Sequence, residues 1–163
     1  MKTPLRSLAL IAATMLATVV SAAAQTAPEG QAAPPSYRPG LGDLMTTTVQ
    51  PRHIKLGFAG REKNWVYAAY ELREMEEAFD RLSIQWPQWQ RVRIVELVET
   101  MIRDPLYDLG QAIKEKNETK YAAAYGKLTD ACNACHQAAR RPFVVIQEPK
   151  DNMYPDQDFR TKP

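Results

Sequence analysis

Cys132-Asn133-Ala134-Cys135-His136 is the stretch of this chain with the most definite chemistry. On a helix, positions i, i+3 and i+4 share one face, which groups the two thiols and the imidazole. Thiols at that spacing can form thioethers to the two vinyl groups of a haem, and the neighbouring imidazole then meets the iron as an axial ligand. Three other chemistries fit less well. Structural zinc takes four ligands, yet the chain has two cysteines and two histidines in all, and the other histidine, His53, is distant in sequence. A thioredoxin-like dithiol follows a strand in a βαβ unit, a pattern this sequence lacks. A disulfide framework would close longer loops. The expected cofactor is one covalently attached haem c per chain, held by Cys132 and Cys135, with His136 as proximal iron ligand.

Four amphipathic segments must position this motif. The first runs from about Leu41 to Gly60, with Leu44, Met45, Val49, His53 and Leu56 along one stripe, and Pro51 inside it should kink or restart it. The second opens at Asn64, a good N-cap, and repeats Trp65, Ala68, Leu72, Met75, Phe79 and Leu82; Glu71, Arg73, Glu76 and Glu77 are expected on its other face. The third follows Pro87 and carries Val95, Val98, Ile102, Leu106, Leu109 and Ile113, with Asp104-Pro105 predicting a break. The fourth begins near Asn117, bears Tyr121, Tyr125, Leu128, Cys132 and Cys135, and is expected to end at Pro142. No alternation suits a sheet. Short connections between four such helices predict an all-α, antiparallel up-down four-helix bundle.

The flanks differ in texture. Residues 1–24 read as a secretory signal peptide: Lys2 and Arg6, an apolar run Leu8 to Val20, then small residues before Gln25. That run is shorter than the ~20 residues of a membrane-spanning helix, so the mature protein is expected to have no membrane span. Residues 25–39 form a flexible linker, 40–141 the haem-binding domain, and 142–163 a C-terminal strap and tail, the strap being Phe143-Val144-Val145-Ile146 and the tail mobile. Loss of residues 1–24 takes two basic side chains and no acids from 21 Lys+Arg and 19 Asp+Glu, which leaves 19 of each. Such a balance lacks the basic footprint of a nucleic-acid binder.

The motif's place in the last of four helices resembles the cytochrome c′ class, the class II c-type cytochromes, over roughly Leu41 to Arg141. The likeness rests on Cys132-x-x-Cys135-His136 and on Arg140, the basic residue four positions after the histidine. Ala139 stands where an aromatic often precedes that basic residue. The resemblance implies a periplasmic protein, often a homodimer. It also implies either five-coordinate iron that binds NO or CO, or a methionine from the first helix as sixth ligand in an electron carrier.

Helix arithmetic selects among the first-helix residues. At 1.5 Å per residue, His136 lies ~27 Å from the shared bundle end, Met45 ~22 Å and His53 only ~10 Å. Met45 is therefore the expected sixth ligand; His53 is the weaker candidate, and Leu56 lies higher still. Methionine opposite histidine suits electron transfer. Arg140 and Arg141 could pair with haem propionates. The reading is thus an exported, periplasmic, non-enzymatic mono-haem electron carrier serving redox partner proteins. Two alternatives stay open: a gas-binding protein with an open distal site, and a haem subunit docking on a larger oxidoreductase through the strap.

Overall fold

The computed structural model describes residues 37–161; the predicted signal peptide and residues 25–36 of the predicted linker lie outside the described residues. Four helices make up the fold, and no strand occurs among the described residues, only an isolated bridge between Trp89 and Val92. Helix α1 covers residues 41–61 and is built from an α turn Leu41–Leu44, a π turn Met45–Val49 and an α stretch Gln50–Arg61. Helix α2 is Trp65–Gln85. Helix α3 covers residues 94–114 in the same three parts, Ile94–Leu97, a π turn Val98–Ile102, and Arg103–Lys114. Helix α4 is Glu118–Ala138. Among the described residues, no helix is long and apolar enough to cross a membrane.

Neither Pro51 nor Pro105 interrupts the run of helical residues, although each lies just after a π turn, at or near the start of a new α stretch. Pro51 and Pro105 lack the N–H that would bond the carbonyls of Thr47 and Met101, four residues back, and their rings would crowd those carbonyls in an α-helix. Each of those carbonyls sits in a π turn. The wider turn re-routes the bonding, as where Gln50 N–H reaches the Met45 carbonyl, so both helices continue past the proline.

The starts and stops have local causes. Asn64 Oδ1 accepts from Tyr67 N–H at 3.2 Å and Asn117 Oδ1 from Lys120 N–H at 2.9 Å, satisfying first-turn donors. Helices α1, α3 and α4 stop at left-handed residues, Lys63, Lys116 and Arg140, with φ of 53°, 51° and 59°. In each case two amide N–H groups fold back onto last-turn carbonyls; at α4, Arg140 N–H bonds Gln137 O and Arg141 N–H bonds His136 O. Helix α4 therefore ends at Ala138, before Pro142.

Each helix packs on the next in sequence, and α4 also packs on α1. The interior holds Leu56, Met75, Ile102, Leu106, Leu109 and Leu128, all less than 2 % exposed. Each contributes about 1.5–3 kcal/mol by leaving water. Glu71, expected on the outer face of α2, is instead fully buried, where Arg52 Nη1 bonds it at 3.1 Å and the Tyr67 hydroxyl at 2.5 Å. A buried carboxylate needs such partners. The close α1–α4 contact depends on two glycines: a Cβ at Gly57 would lie 2.5 Å from the Tyr125 hydroxyl, and one at Gly60 1.9 Å from the Tyr121 ring.

The expected mobile tail is tied down. Arg61 bonds the Pro149 carbonyl at 2.7 Å, Lys55 lies over the Tyr154 ring, and Phe159, 5 % exposed, packs against Phe58 and Tyr67. Phe159 anchors the far end of the segment together with Asn64 Nδ2, which donates to the Phe159 and Arg160 carbonyls, and Gln157, which donates to the Tyr67 hydroxyl.

Candidate functional site

The cysteines fall in the last two turns of α4. Cys132 is buried and Cys135 half-buried, and both are free thiols. Burial pushes Cys132 up to about 12 and moves Cys135 in the same direction. A nucleophilic C-x-x-C thiol has the opposite setting, at a helix N-terminus or beside a cation that favours thiolate. The C-terminal end of α4, where the helix dipole is negative, disfavours thiolate. Thiol–disulfide chemistry is thus poorly served at this place.

His136 follows at the last turn, half-buried. Its Nδ1 lies 2.9 Å from the Val144 carbonyl, in the strap. A carbonyl can only accept, so the proton sits on Nδ1 and Nε2 keeps its lone pair for a metal. The strap is itself fixed by Asn133, whose Nδ2 donates to the Ile146 carbonyl at 2.9 Å and whose Oδ1 accepts from Ile146 N–H at 2.7 Å. Sequence reasoning missed this pairing, because Asn133 occupies a free position of the motif and its partner follows the end of the helix.

Two adjoining hollows meet at His136. The larger, an apolar cleft of about 300 Å3, is lined by Met45, Phe79, Trp89, Val98, Cys135 and His136 among others. The smaller recess, about 70 Å3, is lined by Met45, Val49, His53, Cys132, His136 and Val144 among others. Met45 and His136 belong to both, and each hollow holds one of the two thiols. The structure therefore brings together Cys132, Cys135, His136 and Met45, the four residues the sequence assigned to thioether attachment and iron ligation. Thr46, which sequence reasoning passed over, also lines both.

His53 is 2 % exposed and committed elsewhere. Its Nε2 meets Thr129 Oγ1 at 2.9 Å, and its Nδ1 the Tyr125 hydroxyl at 3.2 Å, with the two rings stacked at 4.8 Å. Thr129 gives its own proton to the Tyr125 carbonyl, so the hydroxyl oxygen accepts from Nε2–H. Both ring nitrogens thus face protein hydroxyls. Burial lowers His53 to about 4, which keeps it neutral. Tyr125 in turn donates to the His53 carbonyl at 2.7 Å, and Tyr121 to the Leu56 carbonyl at 2.7 Å, so this column fastens α4 to α1.

The arginines part ways. Arg141 lines the large cleft and lays its guanidinium 4.5 Å from the Trp89 ring centroid. Arg140 is exposed, caps α4, and borders a separate shallow surface with Gln90 and Arg91. Among the described residues no group of three or more His, Cys, Asp and Glu side chains could hold a bare metal ion. The donor set fits a haem instead: two thiols on one helix face, an imidazole with Nε2 unoccupied, a thioether in the same apolar cleft and a cation at its margin.

The chain matches no protein-family model, no curated protein and no solved structure.

Proposed function

We propose that this chain is an exported, mono-haem c-type cytochrome that carries single electrons between redox partner proteins in the periplasm, similar in plan to the cytochrome c′ class. The observation that carries the reading is that His136 and Met45 both line two adjoining hollows, each of which also holds one of the two thiols, with the His136 Nε2 lone pair left free. Haem held there would supply a one-electron iron couple. Cys132 and Cys135 would retain the group through thioethers, and His136 and Met45 would supply ligands to its iron. Neither ligand need leave during electron transfer. Phe79, Trp89 and Val98 would keep water from the cleft, and Arg141 would pair with an anionic edge.

The reading takes the four helices as an antiparallel up-down bundle. Connections of three residues (62–64 and 115–117) join α1 to α2 and α3 to α4, a length that suits antiparallel neighbours in a bundle. Contact of the first helix with the last closes the bundle.

Optical spectra of the protein, made in a host with working c-type maturation, test the proposal. Attached haem with low-spin spectra in both oxidation states, unmoved when CO is added to the reduced form, is the expected outcome. Immediate CO uptake by a high-spin reduced form would move the function to gas binding. Absence of haem would defeat the reading.

A further inference from the structure

The iron ligand of this site is governed from outside the helix that bears it, by the strap that follows. We infer that Asn133 is a positioning residue for His136: by clamping Ile146 it holds the Val144 carbonyl on the imidazole and so sets the ring's tautomer and donor strength. The inference rests on the cytochrome reading but goes beyond ligand identity.

The geometry runs in one chain of contacts. Asn133 is one of the two variable residues between the cysteines, and its amide pairs with both backbone polar groups of Ile146, at 2.9 and 2.7 Å. Two residues upstream, the Val144 carbonyl accepts from His136 Nδ1 at 2.9 Å. Helix α4 has ended by then, so no helical bonding holds residues 144–146. Their other support nearby is one turn bond, Val144 N–H to the Arg141 carbonyl. Phe143 and Val145 are 76 % and 64 % exposed, and the Phe143 ring meets the Arg141 guanidinium, 5.9 Å from its centroid. The amide pair is therefore the directional clamp that fixes the strap backbone on the helix at this point, beside the Val144 and Ile146 side chains that line the smaller recess. Without it the Val144 carbonyl is free to turn to water, and the ring loses the acceptor that fixes its proton.

An imidazole that donates from its second nitrogen is a more basic ligand, and outer partners of this kind shift metal-site properties 10- to 100-fold, roughly. A more basic ligand favours the oxidised iron. Asn133→Ala should therefore shift the redox equilibrium toward the reduced form by up to about tenfold, an upward move of up to about 59 mV for a one-electron couple. In the diamagnetic reduced protein, the His136 ring N–H should exchange with solvent at least about tenfold faster than in the parent, by the same order of effect. Asn133→Asp, which keeps the acceptor for Ile146 N–H but loses the donor, should fall between the two. Phe159→Ala loosens the far end of the tail and should move neither quantity.

A folded Asn133→Ala protein with unchanged potential and unchanged ring-proton exchange overturns the inference. Equal shifts in Phe159→Ala overturn it too, since general loosening would then suffice. If the chain folds but never takes up haem, the cytochrome reading fails alone. The 15N shifts of the His136 ring in the haem-free chain then decide the clamp: an Nδ1–H tautomer in the parent, lost in Asn133→Ala, supports it, and the same tautomer in both refutes it.

Discussion

Acid should weaken this fold through one histidine, and the size of the effect can be worked from its surroundings. His53 is 2 % exposed and is held neutral, with burial lowering it from 6.5 to about 4. A cation there would have no carboxylate beside it; its ring partners are the Thr129 and Tyr125 hydroxyls. The unfolded chain takes up a proton near the ordinary value, while the folded chain resists until about pH 4. Stability from this group is thus fully present above pH 6.5 and is lost as pH falls from there to about 4. Each pH unit of that interval is worth about 1.4 kcal/mol, so roughly 2 kcal/mol goes between pH 6.5 and 5, and roughly 3 by pH 4. The comparison protein is His53→Gln, which keeps every other titratable side chain. Urea unfolding of both proteins at pH 7 and pH 5 isolates the term. The parent should lose about 2 kcal/mol more than the variant on going to pH 5. Losses equal within about 0.5 kcal/mol would refute the neutral, buried assignment.

Further outcomes follow from single contacts. Met45→Ala should turn the iron high-spin and open the reduced protein to CO while Cys132 and Cys135 keep the haem; an unchanged spectrum removes Met45 as ligand. Gly60→Ala should cost about 2–4 kcal/mol in urea unfolding, overpacking and a disturbed Tyr121 hydrogen bond outweighing the helix-propensity gain. Gly42→Ala, where a Cβ meets nothing within 4 Å, should be neutral or slightly stabilising. Lys116→Gly should stabilise by about 0.5–1 kcal/mol, because glycine relieves the left-handed backbone at a cost in unfolded-state entropy. Deleting Thr47 should remove the π turn, leave Pro51 facing an α-helical carbonyl and cost about 3 kcal/mol. Adding Pro51→Ala to that deletion should restore most of it, and a double variant as unstable as the single would show that proline is not the cause.

Much of the fold was legible because it rests on short-range rules. Asn64 and Asn117 marked helix starts through their own side-chain chemistry, and the apolar stripes of α2, α3 and α4 named most of the interior. What misled was long-range or hidden in the backbone. Glu71 looked like a surface charge because its partner Arg52 comes from another helix. Pro51 and Pro105 looked like breaks because a π turn leaves no mark in residue type. Phe159 stood alone among polar neighbours, so nothing local announced that it would bury itself against Phe58. At the site, residue type and spacing singled out Cys132, Cys135 and His136, and helix arithmetic put Met45 near their level; the structure has all four lining two adjoining hollows. Which face Met45 would present was beyond that arithmetic.

That face is set by the π turn. Residues advance about 100° each around an α-helix. Counting back from His53 in an unbroken helix, Thr46 and Gly42 lie within about 20° of its direction, and Met45 is about 80° away. A π turn holds one residue more than an α turn, so everything before it behaves as one position closer to His53. Met45 and Leu41 then take the places, about 20° off the stripe, that Thr46 and Gly42 would have held. Burial follows the shifted count: Leu41 and Met45 pack against the core, while Gly42 and Thr46 are exposed overall. Pro51 gives the turn its reason to exist, since an α-helical register there would press the ring onto the Thr47 carbonyl. A proline two residues upstream of His53 is thus what brings Met45, rather than Thr46, onto the stripe that packs against the core.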